Sequence, residues 1–166
     1  MKFVTLVNEP FRRAPLAILA ASVAVLGAAF AFQYLGGLAP CELCILQRWP
    51  YVATIVLSAV AVAAPHAERP HLWLCAAVFT VGFAIAAYHV GVERHWVAGP
   101  EACTGGPERA ASLEELRRRL MATQVVRCDE PAWTLFGVSM AGYNAVASFA
   151  LAAFAVAAAR RPRGAA

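Results

Sequence analysis

Long apolar runs separated by short charged stretches dominate this chain. Four segments carry no Asp, Glu, Lys or Arg: Ala14–Cys41, Trp49–Ala67, Pro70–Val92 and Pro131–Ala159, of 28, 19, 23 and 29 residues. A bilayer-spanning helix needs about 20 apolar residues, so each run is long enough or nearly so. The apolar positions are continuous instead of alternating, which selects helices over the two-residue period of a membrane barrel. The pattern predicts an all-α fold: a membrane four-helix bundle with helices at about 16–34, 45–64, 71–90 and 135–159. A long outer loop at about 93–131 joins the last two, and residues 1–166 read as a single integral membrane domain without internal repeats.

Finer punctuation refines these elements. Gly36-Gly37 and Pro40 make a short turn after the first helix. Pro50 falls inside the second and predicts a bend or a freed carbonyl. In the long loop, Ser112-Leu-Glu-Glu115 is a capping box. Leu113, Leu116 and Leu120 follow at three- and four-residue steps, with Arg117, Arg118 and Arg119 around them. That is the pattern of a short amphipathic helix, lying on the bilayer surface or packed on the loop itself.

Composition agrees. The chain is 61% hydrophobic and 14% charged, with mean hydropathy +0.61, whereas soluble domains carry roughly 25% charged residues. The net charge of +4 is unevenly placed. Lys2, Arg12, Arg13, Arg69, Arg160, Arg161 and Arg163 stand at the termini and the turn near residue 69, against only Glu9 and Glu68. The long loop is close to neutral, with arginines matched by acids. The positive-inside rule then puts both termini and the 65–70 turn in the cytoplasm, and the Cys41 turn and long loop on the opposite, periplasmic side. The cations form no amphipathic or aromatic-laced patch, so nucleic acid is excluded as a partner and the lipid bilayer is the expected one. Arg12-Arg13 before an apolar run, with Ala29-Phe30-Ala31 beyond, resembles a cleavable signal. The run exceeds the roughly 7–15 residues of a signal core, so the first helix is expected to be retained.

Chemistry concentrates in five cysteines, at 41, 44, 75, 103 and 128. Cys41-Glu-Leu-Cys44 is a C-x-x-C pair opening an apolar segment, where a helix N-terminus lowers a thiol pKa. Cys103 and Cys128 can form a second, wider pair on the same face. That face is oxidising in a bacterium, and two disulfides on it allow thiol–disulfide exchange. The competing reading is a structural membrane protein with two passive disulfides. Against it, a C-x-x-C ring contributes little through loop closure. No metal is expected, because a four-thiolate zinc site usually has two C-x-x-C knuckles. Cys75 reads as a small buried apolar residue.

On a continuous helix Cys41, Cys44 and Arg48 share one stripe, with Arg48 about 6 Å deeper than Cys44. A cation there stabilises a Cys44 thiolate and can polarise a carbonyl of an electron acceptor. An acceptor that dissolves in lipid and takes two electrons is a quinone. An arginine that snorkels to the interface is the plainer alternative. His89, beside Tyr88, can donate to a quinone oxygen or simply bond backbone or water at the interface. His95 and Trp96 follow at the membrane edge, while His66 and His71 flank the cytoplasmic turn.

Three stretches carry a family resemblance: Pro40-Cys-Glu-Leu-Cys-Ile-Leu-Gln-Arg-Trp-Pro-Tyr51, Tyr88-His-Val-Gly-Val-Glu93, and Cys128-Asp-Glu-Pro-Ala-Trp-Thr-Leu-Phe-Gly-Val-Ser-Met-Ala-Gly-Tyr-Asn144. With the four-helix layout, they make the chain resemble the disulfide bond formation protein B (DsbB) family of membrane thiol oxidases. The resemblance implies a multi-pass protein of the bacterial inner membrane that reoxidises a periplasmic thioredoxin-like thiol oxidase (DsbA-like). The electrons would pass to ubiquinone or menaquinone in the membrane quinone pool. It further implies catalytic roles for all of Cys41, Cys44, Cys103 and Cys128. Cys103 would form the mixed disulfide with the partner, and Cys128 would resolve it and exchange with Cys41. Cys44, Arg48 and His89 would meet the quinone. A vitamin K epoxide reductase-like enzyme also pairs loop cysteines with a membrane C-x-x-C, but there the motif lies late in the bundle.

Overall fold

The computed structural model describes residues 13–64, 68–100, 112–114, 117 and 126–161. Its helices are α1 (Arg13–Tyr34), α2 (Glu42–Leu46), α3 (Trp49–Ala63), α4 (Glu68–Glu93) and α5 (Met140–Arg160), with a hairpin of β1 (Thr134–Leu135) and β2 (Val138–Ser139) before α5. Among the described residues, four segments are long and apolar enough to cross a membrane: α1, α2 with α3, α4 and α5. The fold is therefore the expected all-α membrane bundle. Most of the predicted surface helix at 113–120 lies outside the described residues.

Local sequence explains the interruptions. The second span breaks at Gln47–Arg48, because Pro50 near the start of α3 has no N–H to carry the helix through. The fourth helix starts at Met140, not near Leu135. The antiparallel pairs Thr134↔Ser139 and Leu135↔Val138 close over Phe136 and Gly137, both with positive φ (51° and 76°). This two-residue turn is the hairpin-favouring kind. Ser139 then caps α5, its hydroxyl accepting from the Gly142 N–H at 3.1 Å. At the end of α4, His95 takes the left-handed φ of 57°. The Trp96 N–H reaches Gly91 O at 2.9 Å and the His95 N–H reaches Val92 O at 3.0 Å. This is a Schellman stop with histidine where glycine is usual.

Packing is inverted relative to a soluble bundle. Val23, Val56, Val60, Leu74, Val81, Phe83, Val146 and Phe149 face outward, whereas Ser22, Thr54, Ser58 and Ser148 are buried. In lipid, burial of large apolar groups does not drive helices together, and small or hydrogen-bonding residues make the contacts. Ser22 and Thr54 bond at 3.0 Å, linking α1 to α3. Gly82 lets α4 approach so closely that a Cβ there would lie 3.2 Å from the Pro50 Cβ. Ile18, Tyr51, Leu72, Cys75, Ala76, Phe79, Ala155 and Ala159 form the main core. Cys75 is buried beside Ser58 there.

Helix α4 packs most extensively on α5, and α3 bridges α1 and α4. Contact between α1 and α5 is sparse. The bundle is thus open along one side, near the end that carries Cys41.

Candidate active site

A second cluster joins Cys41, Leu43, Val92 and Cys128, with Cys44 and Val126 packed against it. Cys41 is the N-cap of α2, in extended conformation, and its sulfur accepts the Cys44 N–H at 3.3 Å. The Cys41 and Cys44 sulfurs are 2.9 Å apart. Cys41, Cys44 and Cys75 are free thiols, and Cys128 is disulfide-bonded. Cys103 lies outside the described residues.

His89 ties the two cysteine elements together. The reactive atoms of Cys41, His89 and Cys128 all lie within 4.8 Å of one another, and all three residues are buried. The His89 Nε2 is 3.6 Å from Cys41 Sγ and 3.9 Å from a Glu93 carboxylate oxygen. Two cysteine sulfurs and an imidazole are metal-ligand chemistry, but a sulfur held in a disulfide is a poor ligand, and Cys128 is such a sulfur. Cys128 is flanked by an exposed ion pair, in which Arg127 Nε donates to Asp129 at 2.9 Å. That contact holds the Asp129 carboxyl below its usual pKa.

Cys41 is the acidic thiol of the pair. Its close sulfur contact with Cys44 lowers the Cys41 pKa from 9.0 to about 4. Burial opposes the shift, while the His89 ring and the Cys44 backbone N–H assist it. The expectation of a helix N-terminus acidifying a thiol thus applies to Cys41, which occupies the cap.

Cys44 faces the open side of the bundle. It lines a cavity of about 400 Å³ between α1 and α5, with Gln47, Arg48, Tyr51 and Asn144. Val25, Leu26, Ala29 and Phe32 of α1 form one wall, and Trp133 and Leu135 of the hairpin segment lie across it. The lining is almost entirely apolar, with a few polar groups gathered near Cys44, as expected of a small-molecule site of this volume. Arg48 does not follow the continuous stripe expected from the sequence, because the helix is broken just before it. Its guanidinium donates to Gln33 Oε1 at 2.6 Å and lies 5.0 Å from the centre of the Phe30 ring. Both contacts hold the cation against α1 at the cavity wall. His89 is not among the residues lining this cavity; its ring lies behind Gln47, facing Cys41.

Sequence reasoning passed over several participants. Gln47 and Asn144 stand between His89 and Tyr51 in one hydrogen-bonded row. Glu93 lies near His89 and accepts from Ser139. A signal was available for Glu93, four residues after His89 on one helix face. Asn144, 97 positions from Gln47, had none.

The chain matches the profile of the family described as "Disulfide bond formation protein DsbB" over residues 11–158. A disulfide bond formation protein B of Hahella chejuensis is 32% identical over 146 residues, covering 84% of this chain and 88% of its own. That of Methylococcus capsulatus is 32% identical over 146 residues, covering 80% and 84%. That of Aromatoleum aromaticum is 28% identical over 155 residues, covering 90% and 92%. No solved structure matches significantly. This chain is a multi-pass membrane protein with a disulfide oxidoreductase role, and it belongs to the disulfide bond formation protein DsbB family.

Proposed function

We propose that the protein is a quinone-dependent protein-disulfide oxidoreductase of the bacterial inner membrane. It forms one integral membrane domain with both termini cytoplasmic, and it reoxidises a periplasmic thioredoxin-like (DsbA-like) thiol oxidase. The observation that carries this reading is the position of Cys41. Its sulfur lies within 4.8 Å of the Cys128 sulfur and 2.9 Å from that of Cys44, which opens on the apolar cavity.

The electron path follows from that order. A partner thiolate attacks Cys103, breaks a Cys103–Cys128 bond and releases Cys128 as thiolate. Cys128 attacks Cys41 in a closed Cys41–Cys44 bond, and Cys44 leaves as thiolate at the cavity. The second partner thiol then displaces Cys103, which recaptures Cys128 and frees Cys41. Two electrons now reside in the Cys41/Cys44 dithiol, and the partner has gained a disulfide.

The cavity residues fit a quinone ring, by shape, by apolarity and by the donors near Cys44. Cys44, Arg48 and the α1 wall would hold it. A quinone bound there would supply the sink for the two electrons released as the Cys41–Cys44 bond closes. Arg48 supplies positive charge where negative charge gathers on a ring oxygen. His89 keeps the Cys41 sulfur ready as thiolate for that closure. Ubiquinone and menaquinone both suit this chemistry.

The test is a coupled assay with purified protein, a reduced thioredoxin-like oxidase and a soluble quinone, following partner thiols and quinone absorbance together. Cys→Ser at position 41, 44, 103 or 128 is expected to abolish both signals. A Cys44→Ser protein that reduced quinone at the normal rate would overturn the reading.

A further inference from the structure

Behind the thiol pair runs a row of buried polar side chains that electron transfer between sulfurs does not require. Tyr51 OH donates to Asn144 Oδ1 at 2.5 Å and lies 3.0 Å from Ser148 Oγ. Asn144 Nδ2 donates to Gln47 Oε1. Gln47 Nε2 lies 2.6 Å from His89 Nδ1, and His89 Nε2 lies 3.6 Å from Cys41 Sγ.

The direction of these bonds is set by chemistry. An amide NH₂ can only donate, so His89 Nδ1 must accept from Gln47 and carry no proton. The neutral ring then bears its proton on Nε2, which faces Cys41 Sγ at 3.6 Å, with the Cys128 backbone a second acceptor for the ring and a Glu93 oxygen 3.9 Å away. Every donor along the row, from Tyr51 to Asn144, Gln47 and His89, therefore points toward the Cys41 sulfur. In a low-dielectric interior such bonds polarise one another. The same low dielectric makes buried amides costly unless satisfied. No buried side-chain polar atom among the described residues lacks a partner.

We infer that Gln47 and Asn144 are positioning residues, which fix His89 as its Nε2–H tautomer with that proton on Cys41. The row is anchored in the membrane interior by Tyr51. It makes the ring a donor to Cys41, and it leaves the ring no acceptor to offer there. Gln47, Asn144 and Tyr51 also line the cavity, so the geometry that serves Cys41 is built into the wall beside the electron acceptor. This inference rests on the proposed thiol-oxidase reading for its purpose, but not for its geometry.

The experiment is ¹⁵N NMR of histidine-labelled full-length protein in nanodiscs, with the Cys41/Cys44 pair reduced. Residue His89 is assigned by a His89→Gln control. The native protein is expected to show one neutral tautomer, protonated at Nε2. Asn144→Leu and Gln47→Leu are expected to raise the Nδ1–H form about tenfold, the upper end of what one lost neutral hydrogen bond contributes. Tyr51→Phe removes a single hydroxyl and serves where the leucine variants do not fold. It should shift the same signature less. An unchanged His89 signature in the folded variants would overturn the inference. Absence of quinone reduction by the native protein, with the tautomer fixed and the variants shifted, would instead count against the thiol-oxidase reading alone.

Discussion

Cys41 and Cys128 come from segments 87 positions apart, yet their sulfurs lie within 4.8 Å of each other in one buried cluster. A thiol–disulfide exchange needs an attacking thiolate to reach one sulfur of a bond. Here Cys41 is the sulfur presented to Cys128, and Cys44 is turned to the cavity. Removal of the competing sulfurs should therefore trap the exchange product. In a Cys44→Ser, Cys103→Ser protein, a Cys41–Cys128 disulfide is expected to form under mild oxidation and to appear as one cross-linked peptide by non-reducing mass spectrometry. Failure of the cross-link in folded protein would remove the exchange step.

The acidic Cys41 thiol predicts how the redox potential of the pair varies with pH. Its pKa is depressed from 9.0 to about 4. Above that value Cys41 carries no proton, so reduction takes up at most one proton with two electrons. The potential should then fall by about 30 mV per pH unit, half the slope of a pair that keeps both protons. The stability linkage has a matching sign. Ionised Cys41 stabilises the reduced fold fully above pH 9, and that contribution is lost progressively as pH falls through about 4. Equilibration with glutathione buffers between pH 5.5 and 8 measures the slope, and a value near 59 mV would show that Cys41 keeps its proton.

Gly82 tests the bundle itself. A Cβ at this position would sit 3.2 Å from the Pro50 Cβ and 3.5 Å from Ser148 Oγ. The proline ring is rigid, so α3 and α4 must separate to admit a methyl group. Gly82→Ala is expected to destabilise the fold by about 1–3 kcal/mol, the usual effect of overpacking. Gly27, whose Cβ would meet nothing within 4 Å, is the control, and Gly27→Ala should be neutral or mildly stabilising. Unfolding in mixed micelles with increasing SDS reads both.

Much of this architecture was legible in the residue order. Uninterrupted apolar runs fixed the spans, because lipid leaves the backbone no alternative to a helix. The C-x-x-C pair and Cys128, singled out by residue type alone, come together in one buried cluster. What escaped was local turn chemistry and long-range pairing. Phe136-Gly137 is an unusual pair for a tight hairpin, since a bulky residue rarely takes positive φ. The residue order therefore puts the start of the last helix at about Leu135, inside the hairpin. The sequence leaves His89 open between a donor to the acceptor and an interfacial side chain. Its actual neighbours, Gln47 and Cys41, were set by how α4 packs on α2, which periodicity does not encode.

Cys75 offers a specificity control for every thiol assay. It is buried in the main core with Ser58 Oγ 3.8 Å away, remote in the fold from the Cys41 cluster. Cys75→Ser should leave partner oxidation within twofold of normal. A loss of electron transfer in this variant, with the fold intact, would mean that the relay runs through a sulfur not assigned to it.

Arg48 decides whether the cavity holds its ligand by charge alone or by charge and shape. The guanidinium bonds Gln33 at 2.6 Å while stacking over Phe30 at 5.0 Å. Lysine can replace the charge but not the planar fork that makes both contacts at once. With Arg48→Lys, the cation should no longer be held against α1, and the KM for quinone is expected to rise about tenfold, the scale of one charge-assisted hydrogen bond. Arg48→Ala removes the charge as well and should also lower kcat, because a ring oxygen gaining negative charge would lose its counter-ion. Exchange between partner and protein cysteines in single turnover, without quinone, should proceed in both variants, since Cys41 and Cys128 meet on the other side of Cys44. Steady-state kinetics at varied quinone, set beside that single-turnover rate, separates these effects. Equal KM values in the native and lysine proteins would show that the fork plays no part in holding the acceptor.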